Sequence, residues 1–565
     1  MIPSEARNKV PKGVLIPSAA RKKVPKGVLI LLAILVLASF FRLWKLNQIP
    51  PGLYPDIAIN GNDALDTLAS GKFKVFYPEN NGREGLFMWL ISISFLVFGP
   101  SVWAIKIVAA AVGILTVFGL YLFTKELFKI DERSWLAVSP DAAALLASFF
   151  LATSFWHTNF SRIGFRAILV PFILVFSFYF LLRGFREKRL WQFILAGIIF
   201  GLGFYTYIGF RFAVLILPFI FLPFYCRYKN LGLKKQFLLF TAIFFTAVFL
   251  TVLPIGIYFL RHLRAFTGRA SDVSVFSQKS PLKALLLSLL AHLAMFVVYG
   301  DANWRHNLPT LPMLPFGVAV LFMLGLILTL KDFLQKISNW KNSRVKSKEA
   351  LRPNEICFSL TAPLILLSWF ISQLLPGILT AEGIPHALRT LGVIPVAYIF
   401  ASLAGIKTYF WLKENTRRQK LFFSAVAMFL LMVAVVQFGE YFINWANAKG
   451  INDAFSANYL EIGNYLNSLP ESVKMYVIVN RDEIRVPYPD GLPMPAQSAI
   501  FIERIKFGQP RATYIESKNI DQIKISGRTV IVPLQEDKKL FQDLAVIFPG
   551  GQIKKSCRIL IYEID

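Results

Sequence analysis

Residues 389–437 read RTLGVIPVAYIFASLAGIKTYFWLKENTRRQKLFFSAVAMFLLMVAVVQ. Two apolar runs flank a short turn, and between Lys407 and Lys420 that turn holds five basic residues and one acid. Each run is close to the length that crosses about 30 Å of hydrocarbon as a helix. Lys and Arg accumulate in loops retained on the cytoplasmic side, so the turn marks an inner loop between two spans.

The same reading extends along the chain. Hydrophobic residues make up 55% of it and the mean hydropathy is +0.54, above the roughly 45–50% apolar content of soluble domains. Eleven crossings are expected, at 28–46, 104–124, 141–157, 167–184, 191–208, 212–226, 236–258, 315–331, 357–378, 389–405 and 420–437. Loops at Arg183 to Arg189, Arg227 to Lys235, Lys331 to Arg352 and Lys407 to Lys420 then all fall inside, and all are basic. Two runs are left out. Gly85 to Gly99 is short for a span, and counting either it or Leu282 to Val298 alone would move the basic block after Lys331 outside. Both are expected as helices at the outer interface.

The net charge of +28 would suggest nucleic acid in a soluble protein. Its location argues otherwise: beyond Phe438 the chain carries 15 basic and 15 acidic residues, so the surplus sits in membrane loops. No nucleic-acid partner is expected. Cys226, Cys357 and Cys557 form no CxxC pair, which speaks against redox chemistry and cysteine-held zinc. Residues 2–15 and 16–29 are a near-exact basic duplication. It precedes a long apolar run without a small-residue cleavage site, so the start reads as a retained anchor with a cytoplasmic N-terminus.

Three domains follow. Residues 1–27 form the basic N-terminus, 28–437 the membrane domain with its first outer loop at 47–103, and 438–565 a tail outside the membrane. In the tail, MYVIVN (475–480), RTVIVPL (528–534) and CRILIYEI (557–564) have the alternation of strands. The expected fold class is an all-α polytopic membrane protein with about 11 spans and interfacial helices, plus a small C-terminal α/β domain.

Polar chemistry concentrates on the outer side. The first outer loop carries Asp56, Asp63, Asp66, Glu79 and Glu84; Asp63 and Asp66 stand three apart, as on a solvated helix face. WHTNFSR (156–162) with Arg166, then Tyr207 and Arg211, then GDANWRHNLP (300–309), then IPHALR (384–389) fall on the same side. All five histidines map there too, without metal-ligand spacing such as HExxH. Outer arginines beside apolar spans run against the positive-inside bias; either they bind a lipid phosphate, whose oxygens guanidinium grips bidentately, or they snorkel to interfacial headgroups.

PD at 55–56, NGREGLF at 81–87 and those three outer motifs together resemble the GT-C superfamily of membrane glycosyltransferases. The branch is similar to the prokaryotic dolichyl-phosphate-mannose protein mannosyltransferase-like and aminoarabinose lipid A transferase-like proteins. The resemblance covers about 28–437. It implies inverting transfer from a polyprenyl-phosphate-linked sugar to a protein, lipid or glycan acceptor at the outer face of a plasma membrane. The family's essential first-loop acid lands on Asp56, but Ile57 stands where the pattern usually has Glu, which leaves Glu84 as the second carboxylate. The resemblance implies Asp56 as general base, Glu84 as sugar ligand or orienting group, and Arg83, Arg162, Arg166, Arg211 or Arg389 against the phosphate. Tyr207, Arg305, His306 and His386 are further donor-binding candidates. A divalent metal, Mg or Mn, is open, with Asp56 and Glu84 as its ligands. Two other classes compete. A polyprenyl-lipid flippase or secondary transporter calls for ionisable residues at mid-membrane and repeated halves; a non-catalytic scaffold leaves the polar loops unexplained.

Overall fold

The computed structural model describes residues 25–130, 138–343, 358–487, 490–556 and 558–565. The duplicated N-terminal copies up to 24, the basic connector 344–357 with Cys357, and Cys557 lie outside the described residues.

Each of the eleven expected spans lies on helix, but two are short. Among the described residues nine helical stretches are long and apolar enough to cross a bilayer: 26–43, 102–130, 166–187, 208–230, 234–261, 316–338, 361–378, 391–415 and 419–445. The expected spans at 141–157 and 191–208 are helices of 14 and 13 residues, Pro140–Thr153 and Leu190–Leu202. The first breaks at Ser154, where a new short helix begins, and the second passes into a 3-10 turn at Gly203–Tyr205. Neither reaches the ~20 residues of a full span. The two runs left out of the count are short helices as expected, Leu86–Phe98 and Pro281–Ala294.

In chain order the helices are α1 (Lys26–Leu43), α2 (Pro55–Ser70), α3 (Leu86–Phe98), α4 (Val102–Ile130), α5 (Pro140–Thr153), α6 (Phe155–Phe160), α7 (Leu169–Glu187), α8 (Leu190–Leu202), α9 (Leu217–Asn230), α10 (Lys234–Arg261), α11 (Leu263–Asp272), α12 (Pro281–Ala294) and α13 (Phe316–Ser343). There follow α14 (Thr361–Ile378), α15 (Ile394–Asn415) and α16 (Gln419–Phe438). α4, α7 and α15 lie at the centre with most of their side chains buried, while α10 and α16 expose Phe249, Leu250, Met428 and Leu431. Large apolar side chains on an outer surface are stable only where lipid is the solvent.

After α16 the helix widens into a π-turn at Gly439–Trp445. A short α17 (Gly450–Ala454) and α18 (Ala457–Ser468) then lead into the C-terminal domain. Its five-stranded sheet has the order β6-β3-β7-β9-β8, where β3 is Lys474–Val479, β6 Thr513–Glu516, β7 Thr529–Pro533, β8 Gln552–Ser556 and β9 Ile559–Ile564; the short strands β4 (Arg485–Val486) and β5 (Leu492–Pro493) pair with each other antiparallel. β6, β3 and β7 run parallel, with Val477 opposite Tyr514 and Val532; β9 and β8 return antiparallel. Parallel strands need both faces covered. Val477 and Val532 pack under α18 and α19 (Ala496–Phe507), while Ile478 and Ile531 pack on α20 (Lys538–Ile547). The strands read from alternation are therefore β3, β7 and β9.

This domain docks on the loop at 47–103 that follows α1. Ser498 Oγ of α19 donates to the Leu53 carbonyl at 2.7 Å, Asn62 Nδ2 donates to Gln497 Oε1 at 3.0 Å, and Arg504 pairs with Asp66 at 2.5 Å. Gly61 of α2 fits because it has no side chain: a Cβ there would lie 2.6 Å from the Phe501 ring.

Candidate functional site

Pro55 opens α2, its fixed φ matching the first helical position, and this puts Asp56 in the first turn where the helix dipole favours an acid. Asn80 Nδ2 donates to Asp56 Oδ1 at 2.9 Å. Asn80 and Asn81 take positive φ and Gly82 follows at +82°, making the turn of a small hairpin between β1 (Phe76–Tyr77) and β2 (Arg83–Glu84). A Cβ at Gly82 would strike the Phe76 ring at 2.5 Å, so this turn has little freedom.

Glu84 is buried and faces two arginines from different parts of the chain. Its Oε2 lies 3.3 Å from Arg166 Nε and its Oε1 3.9 Å from Arg211 Nη2. Arg166 stands over the Tyr207 ring at 5.5 Å, and Arg211 over Phe266 at 4.2 Å while donating to the Phe266 carbonyl. Glu84 thus gathers two guanidinium groups from different elements at one end of the helix bundle.

A third group adjoins Asp56 through Tyr54. The Arg305 guanidinium lies 4.0 Å from the Tyr54 ring centroid, and the ring meets Phe165 edge to face at 6.3 Å. Burial and the neighbouring Asp56 carboxylate push the Tyr54 phenol above its ordinary range. Phe165 also contacts His306, whose Nδ1 is 2.8 Å from Asp301 Oδ2. That same oxygen accepts from the Ala387 amide at 2.8 Å, so Asp301 ties 300–307 to 384–389. Burial holds His386 well below the ordinary histidine range, hence neutral.

Four expected site residues are placed elsewhere or paired. Arg162 is fully buried and donates to the carbonyls of Phe41, Trp44 and Ile49 at 3.1, 2.7 and 2.9 Å, capping the end of α1. Arg83 is also fully buried; it pairs with Asp63 at 2.6 Å and donates to Asn60 Oδ1 at 2.9 Å. Asp63 is thus no solvated acid: burial raises its carboxyl to about 6 even beside Arg83, whereas Asp66 is exposed. Arg389 pairs with Glu382 at 2.8 Å, and His386 packs on His306 at 4.9 Å. Of the remaining histidines, His157 is buried against Arg42 at 2.8 Å. Tyr54, Asn80 and Asp301 were not singled out from sequence. The NNG turn and the GDANW stretch carry signals for the last two, since Asn and Asp favour tight turns.

Glu84, already neutralised by two arginines, is a poor partner for Asp56 around a cation. Among the described residues the atoms that do converge are Asp301, His306 and His386, all within 4.8 Å of one another. Two imidazoles and a carboxylate suit a transition metal better than Mg.

Residues 86–255, from α3 into α10, match the family model for dolichyl-phosphate-mannose-protein mannosyltransferase. The fold is similar to the crystal structure of ArnT from Cupriavidus metallidurans bound to undecaprenyl phosphate, with a TM-score of 0.53 and 14% identity, covering 95% of this chain and 97% of that one. It is similar to the same protein in the apo state at a TM-score of 0.50 and 13% identity, with the same coverage. A search of curated proteins finds no match. At such identities the likeness speaks for architecture, and with the nine long apolar helices and the C-terminal sheet it bears out the expected polytopic helical fold with a small C-terminal α/β domain.

Proposed function

We propose that this chain is an inverting glycosyltransferase of a multi-pass membrane, moving a sugar from a polyprenyl-phosphate-linked donor to an acceptor at the extracytoplasmic face. The observation that carries the reading is that one hairpin joins a part-exposed carboxylate to two guanidinium groups. Asn80 in its turn donates to Asp56, and Glu84 on its second strand faces Arg166 and Arg211. The ArnT likeness, whose structure holds undecaprenyl phosphate, and the mannosyltransferase match support it.

In this reading Asp56 takes the proton of an acceptor hydroxyl or amine. The freed pair attacks the anomeric carbon from the face opposite the leaving group. The glycosidic C–O bond breaks with its electrons on the polyprenyl phosphate, whose developing charge meets fixed guanidinium groups. Glu84 acts by holding Arg166 and Arg211 in place, and Arg305 with His306 forms the wall toward Tyr54. A lipid donor confined to the bilayer requires such a site at a membrane interface.

Incubating the purified protein with polyprenyl-phosphate sugars and measuring release of the lipid phosphate tests this. Asp56→Asn is expected to abolish release while the melting temperature stays near wild type. Full activity in that variant removes Asp56 from the mechanism. Lipid movement across the bilayer without release would favour a flippase instead.

A further inference from the structure

At the end of the helix bundle away from Asp56 and Glu84 lies a cavity that the proposed reaction does not use. It has a volume of about 850 Å³ and lies between α1, α5, α13, α15 and α16, with Ile34, Phe149, Leu321, Gly405, Tyr409 and Phe429 among its walls. Its size falls in the range of ligand pockets, roughly 300–1,000 Å³, but its walls are almost wholly apolar, which suits a hydrocarbon chain rather than a polar metabolite. α16 forms one wall while burying only Phe422, Val433 and Gln437 along its length.

The rim says which chain. α15 starts beside the outer motif 384–389 and runs 22 residues, about 33 Å of helix, so the α15–α16 turn reaches the far face. On that turn Lys413, Arg417, Arg418 and Lys420 are all exposed, and Lys26 stands exposed one turn before the lining residue Ile30 of α1. None of these cations takes part in an ion pair among the described residues, and Glu414 is the single acid on the turn. Leu412 lines the cavity and Lys413 follows it directly, so apolar walls and positive rim are continuous.

We infer that this cavity binds one anionic glycerophospholipid of the surrounding bilayer, with an acyl chain between α13, α15 and α16 and its phosphate on the α15–α16 turn. Such a lipid fastens α16, the helix that leads into the outer domain, to the bundle. The inference is independent of the transferase reading.

The full-length protein in phosphatidylcholine nanodiscs with graded phosphatidylglycerol, followed by native mass spectrometry, is the test. One phosphatidylglycerol is expected to be retained in preference to phosphatidylcholine. A triple Arg417→Gln, Arg418→Gln, Lys420→Gln variant should lower that preference at least about tenfold, since each basic residue near an anionic surface contributes about a factor of five. Ala425→Trp, which fills the cavity, should abolish retention; Val426→Phe serves if the first variant does not fold. Equal retention of the two phospholipids overturns the inference. So does retention untouched by the filling variants, or displacement of phosphatidylglycerol by undecaprenyl phosphate at equal concentration.

Discussion

Arg83→Met tests whether the first outer loop is held by a buried ion pair. Arg83 is fully buried, 2.6 Å from Asp63 and 2.9 Å from Asn60 Oδ1, and it donates to the Glu79 carbonyl at 3.2 Å. It thereby joins the hairpin that carries Glu84 to the helix that carries Asp56. Methionine keeps the volume and removes the charge, leaving the Asp63 carboxylate buried without its cation. Breaking a buried pair in this way costs about 3–5 kcal/mol; the side chain of Asp63 is still 14% exposed, so the lower end, about 3 kcal/mol, is expected. Adding Asp63→Asn removes the stranded charge and should recover at least about 1 kcal/mol, a coupling typical of residues in contact. Acid should do the same, because protonation neutralises the Asp63 carboxyl, which burial raises and only Arg83 pulls back down. Denaturant unfolding in mixed micelles at pH 5 and pH 7 compares the wild type with both variants. A double variant less stable than Arg83→Met, or a single variant insensitive to pH, refutes the pairing as the source of the stability.

Wild-type stability carries the same titration. Burial raises the folded carboxyl of Asp63 from 3.8 to about 6, so its stabilising contribution is full below about pH 4 and is lost as pH rises through 6. The gap is worth about 3 kcal/mol, and Asp63→Asn should flatten the unfolding curve between those pH values. Arg166→Gln and Arg211→Gln should each lower kcat/KM for the lipid-linked donor ten- to hundredfold, the loss of one charge-assisted contact of about 1.5–3 kcal/mol, with steady-state kinetics as the readout. Gly61→Leu pushes against the Phe501 ring; overpacking of about 1–3 kcal/mol should loosen the outer domain from α2, seen as faster proteolytic release of that domain.

Read alone, the residues establish the solvent, the approximate place of the long apolar helices and three strands of the C-terminal sheet. These follow from run length, charge asymmetry and alternation, which are local properties. Even there, two expected spans came out at 14 and 13 residues, because Ser154 and Gly203 end each helix before its apolar run ends. The site was legible only as a set of residues on one side. Only tertiary structure decided that Arg162 caps α1, that Arg83 belongs to Asp63, and that Glu84 meets arginines 82 and 127 positions away. An arginine has the same composition whether it waits for a phosphate or fills a ring of carbonyls. Its role is set by which groups lie within about 4 Å, and those groups come from distant parts of the chain.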